Sequence, residues 1–238
     1  MTREFALVHG MSHGAWCWRP LAERLERRGH RVVAVDLPGH GARAHEWRRA
    51  SVGAYARAVA DELALAGFSR AVVVGHSMAG AVIPKVAELS PARVVHLVFV
   101  AAVVPSGRGR LADHFPPSIR ELFRGLALAG RGVVQYPAQL EHARWMTDMR
   151  PGDPRVVDAL ARLTAQPAVP WLERVDYSRF YAMDVPRTYI RCRGDAAVPP
   201  ERAAEYAARL GVAPIDLDTA HNPMLSAPDE LARILERV

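Results

Sequence analysis

The sequence predicts an α/β protein: about six strands in a mostly parallel sheet, helices on both faces, and a helical cap inserted in mid-chain. Three observations predict it. Short runs rich in Val and Leu, bounded by Gly and Pro, alternate with segments of helical period. The alternation lapses from about residue 103 to 186 into Pro, Gly, Arg and aromatic residues, then resumes. One apolar run, Val72-Val73-Val74, passes directly into Gly75-His76-Ser77. Neighbouring parallel strands need a right-handed crossover, so the alternation itself calls for helices packed on the sheet.

In chain order, Phe5 to Val8 and Arg31 to Val35 read as strands buried on both faces. Between them Leu21, Leu25 and Arg28 recur at helical spacing, and Gly29 supplies a C-cap. A second helix runs from about Ser51, whose hydroxyl suits an N-cap, to Ala66, with Gly67 beyond it. A strand at Ala71 to Val74, a helix after Ser77 and a strand at Val94 to Val100 follow. Helical fragments within the insertion are Ile119 to Leu128 and Val156 to Leu163. The core then resumes with a strand at Thr188 to Arg191, a helix at Glu201 to Leu210, a short strand at Pro214 to Leu217 and a last helix at Pro228 to Arg237. Residues 1–102 and 187–238 are thus expected to form the core, and residues 103–186 a cap subdomain.

The composition is that of an ordinary globular chain: 238 residues, 50% hydrophobic and 24% charged, long enough to bury a core without disulfides or metal. Cys17 and Cys192 have no C-x-x-C spacing and read as buried thiols. No run approaches the roughly 18 apolar residues of a membrane span. The first ten residues lack the basic start and apolar core of a signal peptide, which makes the cytoplasm the default compartment. The net charge of +6 comes from 31 basic and 25 acidic residues interspersed along the chain, a solvated surface rather than a polyanion-binding patch. The expected partner is a small-molecule substrate, with no nucleic acid and no membrane; no cofactor or metal is expected, and a homodimer is left open.

Chemistry concentrates at strand ends. Gly75-His76-Ser77-Met78-Ala79-Gly80 follows a buried strand and precedes a helix, the setting of a nucleophile elbow that lifts a serine hydroxyl clear of the sheet. The usual G-x-S-x-G pattern has Ala79 at its fifth position here, with the glycine one residue later. At the end of the first strand, Leu7-Val8-His9-Gly10-Met11 can present backbone N–H groups to a developing oxyanion, and Met11 and Met78 are the donors named by position. A serine needs a base and the base a carboxylate. His221 follows the last short strand and Asp195 the one before it, whereas Asp216 and Asp218 lie within or at the end of a strand and Asp184 is a third competitor. His9, His13, His40 and His45 are read as structural or exposed. Gly10 and Ser12 in the first turn, and Phe115, Phe123, Tyr136, Trp145 and Trp171 in the cap, are candidates to touch substrate. Phe180 is a further cap aromatic; more than half of these rings are expected to serve the cap's own core.

These residues resemble the α/β-hydrolase superfamily, and more narrowly the group of plant methylesterases and hydroxynitrile lyases. The matching stretches are Leu7 to Trp16, Asp36-Leu37-Pro38-Gly39-His40-Gly41, Gly75 to Met78 and His221-Asn222-Pro223-Met224-Leu225. The resemblance implies a Ser77, Asp195 and His221 triad, an oxyanion hole of Met11 and Met78, and a cap over the pocket. The lyases have a threonine where this chain has Gly10 and a lysine where it has Asn222, which points to the esterase side. The leading expectation is therefore a cofactor-independent serine esterase for a small or medium hydrophobic substrate. A lyase or cyclase of secondary metabolism is the runner-up, and a binding protein without turnover is third. Haloalkane dehalogenases and epoxide hydrolases need a carboxylate where Ser77 stands; a carrier-protein thioesterase would suit the basic charge but differs around the first oxyanion turn.

Overall fold

Strands β1 (Glu4–Val8), β2 (Arg31–Val35), β3 (Ala71–His76), β4 (Val94–Val100), β5 (Arg187–Cys192) and β6 (Ile215–Leu217) form one six-stranded sheet in the order β6-β5-β4-β3-β1-β2. The structure is a computed structural model and describes residues 2–238. Every pairing in this sheet is parallel. The longer helices are α1 (Arg19–Arg27), α2 (Val52–Leu65), α3 (Ile83–Leu89), α4 (Pro117–Ala129), α5 (Ala138–Trp145), α6 (Pro154–Arg162), α7 (Pro200–Arg209) and α8 (Pro228–Leu235).

From β1 the chain moves outward to β2, then returns past β1 to β3 and continues the other way. Because each crossover is right-handed, the reversal sends α1 to one face and α2 and α3 to the other. Accordingly α1 packs on α8 and α2 on α3. The gap between β1 and β3 is the switch point of the sheet, where open α/β sheets leave a crevice beyond the carboxyl ends of the strands. Register sets what meets there: Val8 pairs with Gly75, so the loops leaving β1 and β3 start side by side.

Burial explains why these runs are strands. Every residue of β3 is buried, as are Phe5 to Val8 of β1. β2 departs from the expectation of burial on both faces. It is the edge strand, and Arg31 is exposed while Val32, Val33 and Ala34 are half-buried, because no strand flanks it on one side. The helix expected directly after Ser77 begins instead as a 3-10 turn, Ser77–Ala81, and becomes α-helical at α3 with Pro84 in its first turn. Ser51 caps α2 by accepting the Ala54 N–H at 3.0 Å. Cys17 and Cys192 are buried free thiols. Among the described residues no helix is long and apolar enough to cross a membrane.

Between β4 and β5 the chain forms α4, α5, α6 and two short antiparallel ladders, Arg108–Gly109 with Val175–Asp176 and Val133–Val134 with Gln166–Pro167. Helix α5 has no sequence signal, and its burial shows why: Leu140 is 49% exposed while Glu141 is 5% exposed, the reverse of an amphipathic pattern. Burial pushes the Glu141 carboxyl from the ordinary 4.5 up to about 7. The folded protein therefore holds this proton more tightly than the unfolded chain. Stability is fully present below about pH 4.5 and falls as pH rises towards 7. Glu141→Gln is thus expected to raise the thermal midpoint at pH 8 and hardly at pH 4, a differential of up to about 3 kcal/mol. Calorimetric melts at the two pH values check this, and equal shifts at both would refute it.

Candidate active site

Ser77 sits where β3 meets the 3-10 turn, with φ at +53°, a conformation costly for a residue with a side chain. The surroundings impose it. Val103 N–H donates to the Ser77 carbonyl at 3.1 Å, and β3 is paired on both sides by β1 and β4. The shifted glycine of the elbow now has a reason: a Cβ at Gly80 would lie 2.2 Å from the Val103 carbonyl oxygen, whereas Ala79 is accommodated fully buried. The backbone that crosses behind the elbow thus needs its glycine at position 80.

His221 lies in the loop after β6, Asp195 in the loop after β5. His221 Nδ1–H donates to Asp195 Oδ2 at 2.7 Å, and His221 Nε2 faces the Ser77 hydroxyl at 2.9 Å. The other Asp195 oxygen accepts the Ala197 and Val198 N–H groups at 2.7 and 2.9 Å, which locks the carboxylate's orientation. Asp195 and His221 are buried, and Ser77 is half-buried. The competing acids lie elsewhere: Asp216 forms an ion pair with Arg191 at 2.6 Å, and Asp184, Asp216 and Asp218 are all exposed. Two contacts that sequence reasoning missed hold the His221 loop. His76 Nε2–H donates to the His221 carbonyl at 2.8 Å, and Asp148 of the cap accepts the Ala220 N–H at 2.9 Å.

Met11 follows β1 and its N–H bonds no other described residue. Met78 is the second residue of the 3-10 turn, where an N–H has no carbonyl behind it in the helix. Both residues line the same cavity as Ser77 and His221. Gly10 itself is pressed on the elbow: a Cβ there would lie 2.8 Å from His76 Nδ1 and 2.9 Å from Ser77 Cβ. Gly10→Thr is expected to lower stability by about 1–3 kcal/mol through overpacking and to cost about 100-fold in kcat by displacing the elbow. A melt and a kcat measured side by side check both; wild-type behaviour in both would show that the elbow yields freely.

The remaining histidines of this region are structural. His9 Nδ1–H donates to the Gly10 carbonyl at 2.8 Å and its Nε2 accepts the Leu37 N–H at 3.2 Å. His13 Nδ1–H donates to the Met11 carbonyl at 2.7 Å, and its Nε2 accepts from the Asn222 amide at 3.2 Å. Burial lowers the pKa of His9 and His76 well below the ordinary value, and those of His13 and His40 to about 4. These neighbours are neutral at neutral pH and put no positive charge beside His221. His45 is exposed. Among the described residues no group of three or more His, Cys, Asp or Glu side chains could hold a metal.

Residues between β4 and β5 and the loops at the strand ends line a cavity over Ser77 and His221 that is partly open to solvent. Of the residues expected to touch substrate, Phe115, Tyr136, Trp145 and Trp171 line it. Phe123 does not: it stacks on Trp171 with ring centroids 4.7 Å apart and is 1% exposed, filling the cap's own core. Phe180 is likewise internal, under the Arg187 guanidinium. Gly10 and Ser12 also lie outside the lining. Ser12 N–H donates to the Gln166 side chain at 3.1 Å and its carbonyl accepts from Thr164 at 2.9 Å, so Ser12 ties the cap to the first turn. Sequence reasoning missed Arg144, which also lines the cavity from the patternless α5.

Residues 5–234 match the model of the Alpha/beta hydrolase family. The chain belongs to that family. This hydrolase is 27% identical to Methylesterase 7 of Arabidopsis thaliana, in an alignment that covers 98% of the chain and 95% of that protein. It is 41% identical to Esterase PIR7B of Oryza sativa subsp. japonica over 43% of the chain and 40% of that protein. Its fold is similar to that of an extracellular alpha/beta-hydrolase from a Paenibacillus species, described as sharing structural and functional homology with Tobacco Salicylic Acid Binding Protein 2. That superposition has a TM-score of 0.90 at 24% identity, covering 99% of this chain and 98% of that one. Over nearly its whole length this hydrolase is thus similar to a plant methylesterase.

Proposed function

We propose that this carboxylic ester hydrolase is a serine esterase that cleaves esters of small or medium hydrophobic acids with a small alcohol, methanol foremost. The observation that carries the reading is the continuous chain from Ser77 Oγ to His221 at 2.9 Å and on to Asp195 at 2.7 Å, opening on one cavity whose walls are largely apolar. Ser77 attacks the ester carbonyl while His221 Nε2 takes the hydroxyl proton. The tetrahedral oxyanion points at the Met11 and Met78 N–H groups. Its collapse expels the alcohol, which leaves with the proton that His221 held, and an acyl group remains on Ser77. Water, activated by the same imidazole, then releases the acid and restores the hydroxyl. Asp195 holds the imidazole in the one tautomer that leaves Nε2 free.

The names of the plant relatives, Methylesterase and Esterase, support the choice of ester and of small alcohol. The lyase reading has less support: the threonine that lyases carry would crowd the elbow at position 10, and Asn222 is no proton donor for a departing anion. Rapid quenching during turnover of a slowly hydrolysed ester, followed by mass spectrometry, is expected to find the acyl mass on the peptide containing Ser77. Product formed with Ser77 never modified would overturn the covalent route and restore elimination or ring closure.

A further inference from the structure

Arg144 is the one cationic side chain among the described residues that line the cavity. The arginines of the next helix are neutralised, Arg155 by Asp153 at 2.7 Å and Arg162 by Asp158 at 2.8 Å. Arg144 has no such ion pair and no side-chain hydrogen bond among the described residues, and it is half-buried. Glu141, one turn earlier on the same helix, is 5% exposed, and no ion pair joins it to Arg144 among the described residues. Like Arg144, Tyr136 lines the cavity, and burial raises its hydroxyl pKa, so the phenol stays a donor. Neither bonds another described residue through its side chain. The same cavity is also lined by apolar Val103, Leu111, Phe115 and Ile119.

A guanidinium in such a place has a definite preference. Its planar fork of N–H donors matches the two oxygens of a carboxylate, and the phenol offers one donor more. Low-polarity walls strengthen the pairing, whereas an apolar substrate end would leave the charge desolvated and uncompensated. We infer that the substrate carries an ionised carboxylate at the end remote from the ester, held by Arg144 and Tyr136 while the ester carbonyl lies at Ser77: a monoester of a dicarboxylic acid. The inference rests on the esterase reading for its chemistry, but the anion subsite is a property of the cap and is separable from hydrolysis. Arg144 is thus a specificity-determining residue, and its effect belongs in substrate choice.

The test compares monomethyl adipate with dimethyl adipate, the latter corrected for its two equivalent ester groups. The wild-type enzyme is expected to favour the monoanion in kcat/KM, and in Arg144→Gln the ratio of the two values should fall by about 10–100-fold, the range for a charge-assisted hydrogen-bonded contact. Arg144→Lys, which keeps the charge and loses the fork, should recover part of the ratio. Equal losses on both esters in Arg144→Gln would mark a merely structural residue and overturn the inference, as would an unchanged ratio. Calorimetric binding of adipate to the Ser77→Ala protein, with and without Arg144→Gln, keeps the subsite testable apart from turnover. Arginine-dependent adipate binding without hydrolysis of either ester would sink the esterase reading alone; hydrolysis of the diester with no such binding would sink only the anion subsite.

Discussion

Ser77→Ala is expected to lower kcat by about 10⁴-fold or more while the protein stays folded. The hydroxyl is the only group removed. Alanine must adopt the same positive φ, and its methyl fits where Cβ already stands, so the elbow and the half-buried site around it are unchanged. The Met11 and Met78 amides and the cavity would still hold the substrate, and a small residual rate over the uncatalysed reaction is expected from them. The check is kcat on an activated ester beside a circular-dichroism melt. A well-folded Ser77→Ala protein that turns over at a rate comparable to wild type would remove the nucleophile from the mechanism.

Asp195→Asn is expected to cost about 10⁴-fold in kcat, through the tautomer of His221. One Asp195 oxygen accepts two backbone N–H groups, from Ala197 and Val198. An asparagine must keep its carbonyl there, since its amide nitrogen cannot accept from two donors. Its NH₂ group is then turned towards His221 Nδ1, 2.7 Å away in the wild-type structure. Two donors cannot share that contact, so the imidazole moves its proton to Nε2 and can no longer take one from Ser77. Asp195→Ala would strand both backbone amides as well and confound the measurement with lost stability. The diagnostic pair is therefore a large fall in kcat for Asp195→Asn with a near-normal KM. A nearly unchanged kcat would mean that His221 is oriented by something other than this carboxylate.

How far the site was legible differs from residue to residue. Ser77, Asp195 and His221 stand out because a parallel sheet presents its chemistry at strand ends, and residues able to act as nucleophile, acid or base are few there. His76 and Asp148 left no signal, although both hold the His221 loop, because their contacts bridge 145 and 72 residues of chain. Among the cap aromatics, Phe115 faces the cavity while Phe123 stacks behind Trp171, yet both lie in stretches of similar composition. Gly80 shows the same limit in the elbow: its need arises from the Val103 carbonyl, which no local pattern records.

From the sequence by itself came the alternating elements, the parallel sheet and the strand ends where polar side chains gather, for these follow from hydrophobic period and turn chemistry over a few neighbouring residues. The edge position of β2, the inward turn of Glu141, the exposure of Arg144 to the cavity and the choice of which rings line it were decided only in three dimensions. A side chain's surroundings are supplied by segments far away along the chain, and packing, not propensity, determines which side of a helix or loop they cover.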